Sequence, residues 1–116
     1  DDVVKANLFF LDNPKESGIF NVGTGNAGTF NDVALAVINA CREIDGETRL
    51  LLEEALHQGL LEYFPMPDAL VGKYQSYTEA DIGRLNAAGF SNNFLDVEEG
   101  VGRYAAELYS KLQTPN

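Results

Sequence analysis

The sequence predicts an α/β fold: a small strand–helix–strand unit packed by C-terminal helices. Three observations carry this. Gly18-Ile19-Phe20-Asn21-Val22 is a short, mostly apolar run before a cluster of glycines, the pattern of a buried strand. Phe30, Val33, Ala34, Val37, Ile38 and Cys41 then recur at helical spacing. Leu61-Glu62-Tyr63-Phe64, closed by Pro65 and Pro67, reads as a second strand. Strand, helix and strand in that order imply a right-handed parallel crossover. The 116 residues, 45% of them apolar, suffice for one domain around one core.

Taken in chain order, residues 2–12 place Val3, Val4, Leu8 and Leu11 at helical spacing, with Phe9 and Phe10 widening the apolar face. Asn13-Pro14 ends this helix, because the residue before proline is pushed out of helical geometry. The strand 18–22 follows, then a glycine-rich loop over 23–28 and a helix over 30–42. A polar connection over 44–48 leads to a short helix over 50–58, stopped by Gly59. After the strand 61–64, residues 68–77 are irregular. Thr78 and Asp81 resemble a capping box, which predicts a helix ending before Gly89. Asp96 and Glu99 repeat that arrangement for the last helix, whose stripe is Val97, Val101, Tyr104, Ala105, Leu108 and Leu112. Thr114-Pro115-Asn116 should fray.

Charge narrows the function. Eighteen acidic and eight basic side chains give a formal net charge of −10. That field repels a phosphate backbone and an anionic lipid surface, so neither nucleic acid nor membrane is an expected partner. No stretch approaches the roughly 20 apolar residues of a membrane span, and no signal peptide is visible. The single Cys41 has no internal partner for a disulfide, which suits a reducing cytoplasm. The chain opens on Asp1, already inside an amphipathic pattern, which suggests a start within a longer protein.

Gly23-Thr24-Gly25-Asn26-Ala27-Gly28 matches G-x-G-x-x-G between a predicted strand and a predicted helix, the context of a dinucleotide fingerprint. The fingerprint also needs an acidic residue about 20 positions on, at the end of a second apolar strand. Glu43 and Asp45 lie near that distance but sit in a polar turn. A loop-shaping role for Gly23 and Gly25 is the better reading. His57 is the only histidine and reads as a partly exposed helix residue, since one histidine makes no metal site. Cys41 falls on an apolar stripe and reads as a small core residue. Glu53-Glu54 and Glu98-Glu99 are neighbours that point apart on a helix, so they read as helix-start charges, not an acid/base pair.

The loop 65–78 is different. It follows a strand end and gathers Lys73, Tyr74, Gln75 and Tyr77. Lysine offers charge to a phosphate, and tyrosine offers a flat face and a hydroxyl to a sugar or base. The plain alternative is a surface loop with its tyrosines packed on the helix that follows. Composition alone leaves the two even.

Several stretches together resemble the C-terminal part of the ADP-L-glycero-D-manno-heptose 6-epimerases, a family of extended short-chain dehydrogenases/reductases. They are residues 2–11 (DVVKANLFFL), 17–25 (SGIFNVGTG), 58–67 (QGLLEYFPMP) and 72–81 (GKYQSYTEAD). Leu85 to Phe90 and Val97 to Val101 continue the likeness, which spans nearly the whole chain. The F-N-x-G-T-G turn is shared by many nucleotide-sugar epimerases and dehydratases; E-Y-x-P-x-P and G-K-Y-Q-x-x-T-x-A-D point to the heptose enzymes. The resemblance implies the substrate-binding lobe of such an enzyme, without its NADP-binding domain. It implies that Tyr74 contacts the ADP-heptose substrate and that Lys73 helps with phosphate. Family catalysis uses a tyrosine and lysine in Y-x-x-x-K beside NADP, and none of the five tyrosines here has lysine four residues on. No catalytic residue, cofactor site or metal site is therefore expected in this chain, which should be inactive alone. Helix 2–12 would pack on the cofactor domain, so Phe9 and Phe10 are candidates for exposure or for burial by self-association into a homo-oligomer. Two other readings stay open: a free-standing interaction module derived from that lobe, and a minimal dinucleotide binder using Gly23, Gly25 and Gly28.

Overall fold

The computed structural model describes residues 1–91 and 93–114. Within them lie five α-helices and one 3₁₀ turn. The helices are α1 (Asp2–Asp12), α2 (Phe30–Ile44), α3 (Leu52–His57), α4 (Gly83–Ala87) and α5 (Val97–Gln113), and the turn is Asp68–Leu70. The fraying expected of Pro115 and Asn116 lies outside the described residues.

The α/β expectation is overturned: the described residues are all-helical and contain no strand. A strand persists as one rung of a ladder, and neither predicted segment has a neighbour to bond. Ile19 is 82% exposed and Phe64 79%. The start of the second segment is also consumed by the end of α3. Gly59 turns the chain at φ +71, and the N–H groups of Leu60 and Leu61 both donate to the Ala55 carbonyl at 3.0 and 3.3 Å. These bonds satisfy the orphan carbonyls of a helix C-terminus and leave those amides unable to join a sheet.

The described residues gather into two compact units. One comprises Asp1–Ala27 and Ser76–Asp96. Its core is Ala6, Leu85 and Phe90, ringed by Phe9, Phe10, Phe20 and Phe94. Ring centroids stand 5.1 Å apart for Phe9–Phe10, 5.5 Å for Phe9–Phe90 and 4.5 Å for Phe10–Phe20. The α1 C-terminus is closed by Asn13, whose backbone and side-chain nitrogens both donate to the Phe9 carbonyl, at 3.0 and 2.8 Å. At the other end, the Asp2 carboxylate accepts the Leu95 N–H at 2.7 Å and ties α1 to residue 95. The helix expected after Thr78 begins five residues later, at Gly83, where Asp81 Oδ1 accepts the Gly83 N–H at 2.9 Å.

The second unit holds residues 28–75 and α5. Its buried apolar residues are Ala36, Ala40, Leu50 and Ala55, and α2 packs on α5 and α3. Between them sits the buried Asn39. Its amide donates to the Leu50 carbonyl at 3.0 Å and accepts the Leu50 N–H at 2.8 Å, so every polar group there is paired. At the start of α2, Thr29 and Asp32 form a reciprocal capping box. Arg49 bridges Glu43 and Glu98, while Tyr109 and Gln113 of α5 both donate to Asp45 at the end of α2.

Candidate functional site

The glycine turn is shaped by close packing. A Cβ on Gly23 would come within 2.7 Å of the Ala80 side chain, and Gly25, at φ +73, lies under the Ile82 side chain. Thr24 Oγ1 accepts the Asn26 N–H at 3.0 Å and donates to the Asn26 carbonyl at 2.8 Å, closing the turn on itself. The start of α2 is equally committed. Asp32 accepts from the Thr29 N–H and hydroxyl at 2.8 and 2.7 Å, which holds its carboxyl below the usual carboxylate range. Its negative charge stands where a fingerprint helix would receive a pyrophosphate. An anionic group at the start of α2 would meet that carboxylate.

Beside the turn, within the first unit, lies an open cleft of about 640 Å³. Thr24, Asn26, Glu79, Asp81 and Asn86 supply its polar walls, with two carboxylates and no cation among the lining residues. Such walls disfavour a phosphorylated ligand. The Thr78–Asp81 pattern predicts a helix over 79–88 and gives no sign of this cleft; residues 79–82 are instead non-helical, and Ala80 and Ile82 lie against the glycine turn.

The residues singled out for substrate sit in the second unit. Tyr74 is 56% exposed and Lys73 is exposed. The turn before them is ordered by Leu70 N–H donating to Pro67 at 2.8 Å and Lys73 N–H donating to Leu70 at 3.0 Å. The Tyr74 ring rests near Phe30, the first residue of α2, with centroids 6.1 Å apart and planes at 54°. Helical spacing puts Phe30 on the apolar stripe of α2, yet it is 74% exposed. Tyr77 belongs to the other unit and donates its hydroxyl to Glu79, which pushes its pKa up. Tyr109 is raised as well, by its bond to Asp45. A tyrosine serving as a general base needs the opposite shift, so neither hydroxyl is prepared for proton abstraction.

The remaining singled-out residues take structural positions. Cys41 is half-buried in α2, and His57 closes α3. Glu54 accepts the Leu51 N–H at 2.7 Å, and Glu98 is paired with Arg49. Among the described residues no cluster of three metal-ligating side chains occurs, and no helix is long and apolar enough to cross a membrane.

The face of α1 is unusual for a surface helix. Ala6, Phe9 and Phe10 turn to the core of their unit. Val4, Leu8 and Leu11, at i, i+4 and i+7, line the opposite side, and Leu11 is 74% exposed. Phe9 and Phe10 are thus covered within the chain, and the uncovered apolar residues are Val3, Val4, Leu8 and Leu11. A helix apolar on two opposite faces has the pattern of an element sandwiched between two layers. No protein-family model matches the chain.

Proposed function

We propose that this chain is the substrate-binding part of an ADP-glyceromanno-heptose 6-epimerase, acting in nucleotide-sugar epimerisation for the lipopolysaccharide inner core. It works with an NADP-binding domain and does no chemistry by itself. The observation that carries this reading is the second apolar face of α1. Val4, Leu8 and Leu11 form a ridge opposite the helix's own core, and a neighbouring domain is the natural cover. The resemblance over 58–67 and 72–81 supports it by naming that neighbour and by assigning Tyr74, with Lys73, to the ADP-heptose.

The division of labour follows from the resemblance. Inverting C6 requires a hydride carrier and a tyrosine of lowered pKa, and both belong to the partner domain. This chain supplies a cation for phosphate, aromatic faces for the ligand, and the apolar ridge that holds the two parts together. Use of ADP-heptose and a single free thiol suit the cytoplasm.

The test is complementation. The chain alone, given NADP and ADP-heptose, should show no turnover. Adding a separately produced NADP-binding domain of a heptose epimerase should give epimerisation, and Leu8→Glu in this chain should abolish it. Turnover by the chain alone, or complementation indifferent to Leu8→Glu and Leu11→Glu, would overturn the reading.

A further inference from the structure

We infer that residues 62–66 form a one-sided pairing edge, which takes the same segment of a second copy of the chain in antiparallel register; this goes beyond the substrate reading and does not rest on it. The segment is exposed along its length and carries no helix or turn. Phe64 and Met66 each precede a proline, which holds them in extended geometry, and Pro67 stands at φ −56 and ψ 136. Among the described residues, no N–H or C=O of Glu62, Phe64 or Met66 takes part in a backbone hydrogen bond. Such a row of unpaired groups is a template for another extended chain.

The prolines decide which side pairs. In an antiparallel ladder, successive residues turn their N–H and C=O to opposite sides. Pro65 and Pro67 share a side with Tyr63 and remove two donors from it, as prolines on an edge strand do. Glu62, Phe64 and Met66 share the other side, where every donor and acceptor is intact. This side is its own complement, and that makes a second copy the occupant. With Phe64 opposite the partner's Phe64, Glu62 falls opposite the partner's Met66, and the N–H and C=O of all three residues find partners. The Phe64 rings become a cross-strand aromatic pair, and on the other face Tyr63 lies against the partner's Pro65. Glu62 is the one charge between Gln58 and Pro67. Its two copies stand roughly 14 Å apart, beyond the ~8 Å screening length at physiological salt. The proline side has too few donors to take a third strand, so pairing closes at a dimer.

The test is amide hydrogen exchange, read by NMR on the whole chain carrying Leu8→Glu, which removes the α1 ridge from the comparison. From dilute to concentrated solution, the Glu62, Phe64 and Met66 amides should slow at least about tenfold, while the Tyr63 amide should not change. Sedimentation should show monomer giving way to dimer. Phe64→Leu keeps the N–H and should keep the protection of Glu62 and Met66. Phe64→Pro removes the central donor and should lose it. Circular dichroism of each variant checks that the helices remain. Equal protection of Tyr63 and Phe64, or protection that survives Phe64→Pro, would overturn the proposal. So would exchange indifferent to concentration, which would leave this edge to a strand of another protein.

Discussion

Asn39 is the buried polar residue whose replacement should be felt most. Its amide satisfies both backbone groups of Leu50, as a neighbouring strand would. Asn39→Leu would leave that N–H and C=O unpaired in the core of the second unit. The expected loss is about 3 kcal/mol, read from the urea midpoint. Asp2 gives a second prediction, through pH. The Leu95 N–H, and then Lys5, hold its carboxyl below the usual carboxylate range. A lowered folded-state pKa means that the carboxylate stabilises the fold above the ordinary carboxylate range and loses this effect as pH falls through the lowered value. Asp2→Asn should therefore flatten the acid limb of a stability–pH profile and leave its slope near neutrality unaltered. Neither partnership was legible in the sequence. Asn39 and Leu50 are eleven residues apart, Asp2 and Leu95 ninety-three, and only the packed chain brings each pair together.

At the scale of elements, the glycine turn gives the sharpest expectation. Gly23→Ala would drive a methyl group to 2.7 Å from the Ala80 side chain, inside any normal contact. The turn and the 78–82 stretch must then separate, costing on the order of 1–3 kcal/mol, visible as a fall in melting temperature. The loop-shaping reading of these glycines thus has a mechanical content that G-x-G-x-x-G alone lacked. Helices were the most readable elements. The spacing of Val4, Leu8 and Leu11 and the Asn13-Pro14 stop placed α1 at its observed bounds, and the stripe from Phe30 to Cys41 found α2. The strands failed because an apolar run with β-forming residues states a preference for pairing but cannot provide a partner. Part of the α5 stripe failed similarly: Val97, Val101 and Ala105 are partly covered, while Tyr104, Leu108 and Leu112 remain exposed. Helical periodicity marks an apolar face but not how much of it finds a neighbour. The candidate ligand residues Lys73 and Tyr74 stand out as neighbours in a polar loop, whereas the exposure of Phe30 is hidden inside an apolar stripe.

For the whole molecule, the small cores decide behaviour. Among the described residues the buried apolar ones are Ala6, Ala36, Ala40, Leu50, Ala55, Leu85 and Phe90, four of them alanine. Larger side chains such as Leu8, Leu11, Phe64 and Leu112 stay in water. Apolar ridges of this kind draw copies together, and screening of the net charge of −10 should favour them. Light scattering should report dimers or larger species that grow with concentration and with salt, and Leu8→Glu should reduce them. A monomer at every concentration and salt level would contradict this.

The double-sided α1 also has a cellular consequence. Chaperones and proteases recognise proteins by persistent greasy stretches, and Val4, Leu8 and Leu11 display one even when the fold is intact. If that ridge stays uncovered in the cell, the polypeptide would be treated as damaged goods, and Leu8→Glu should lengthen its lifetime.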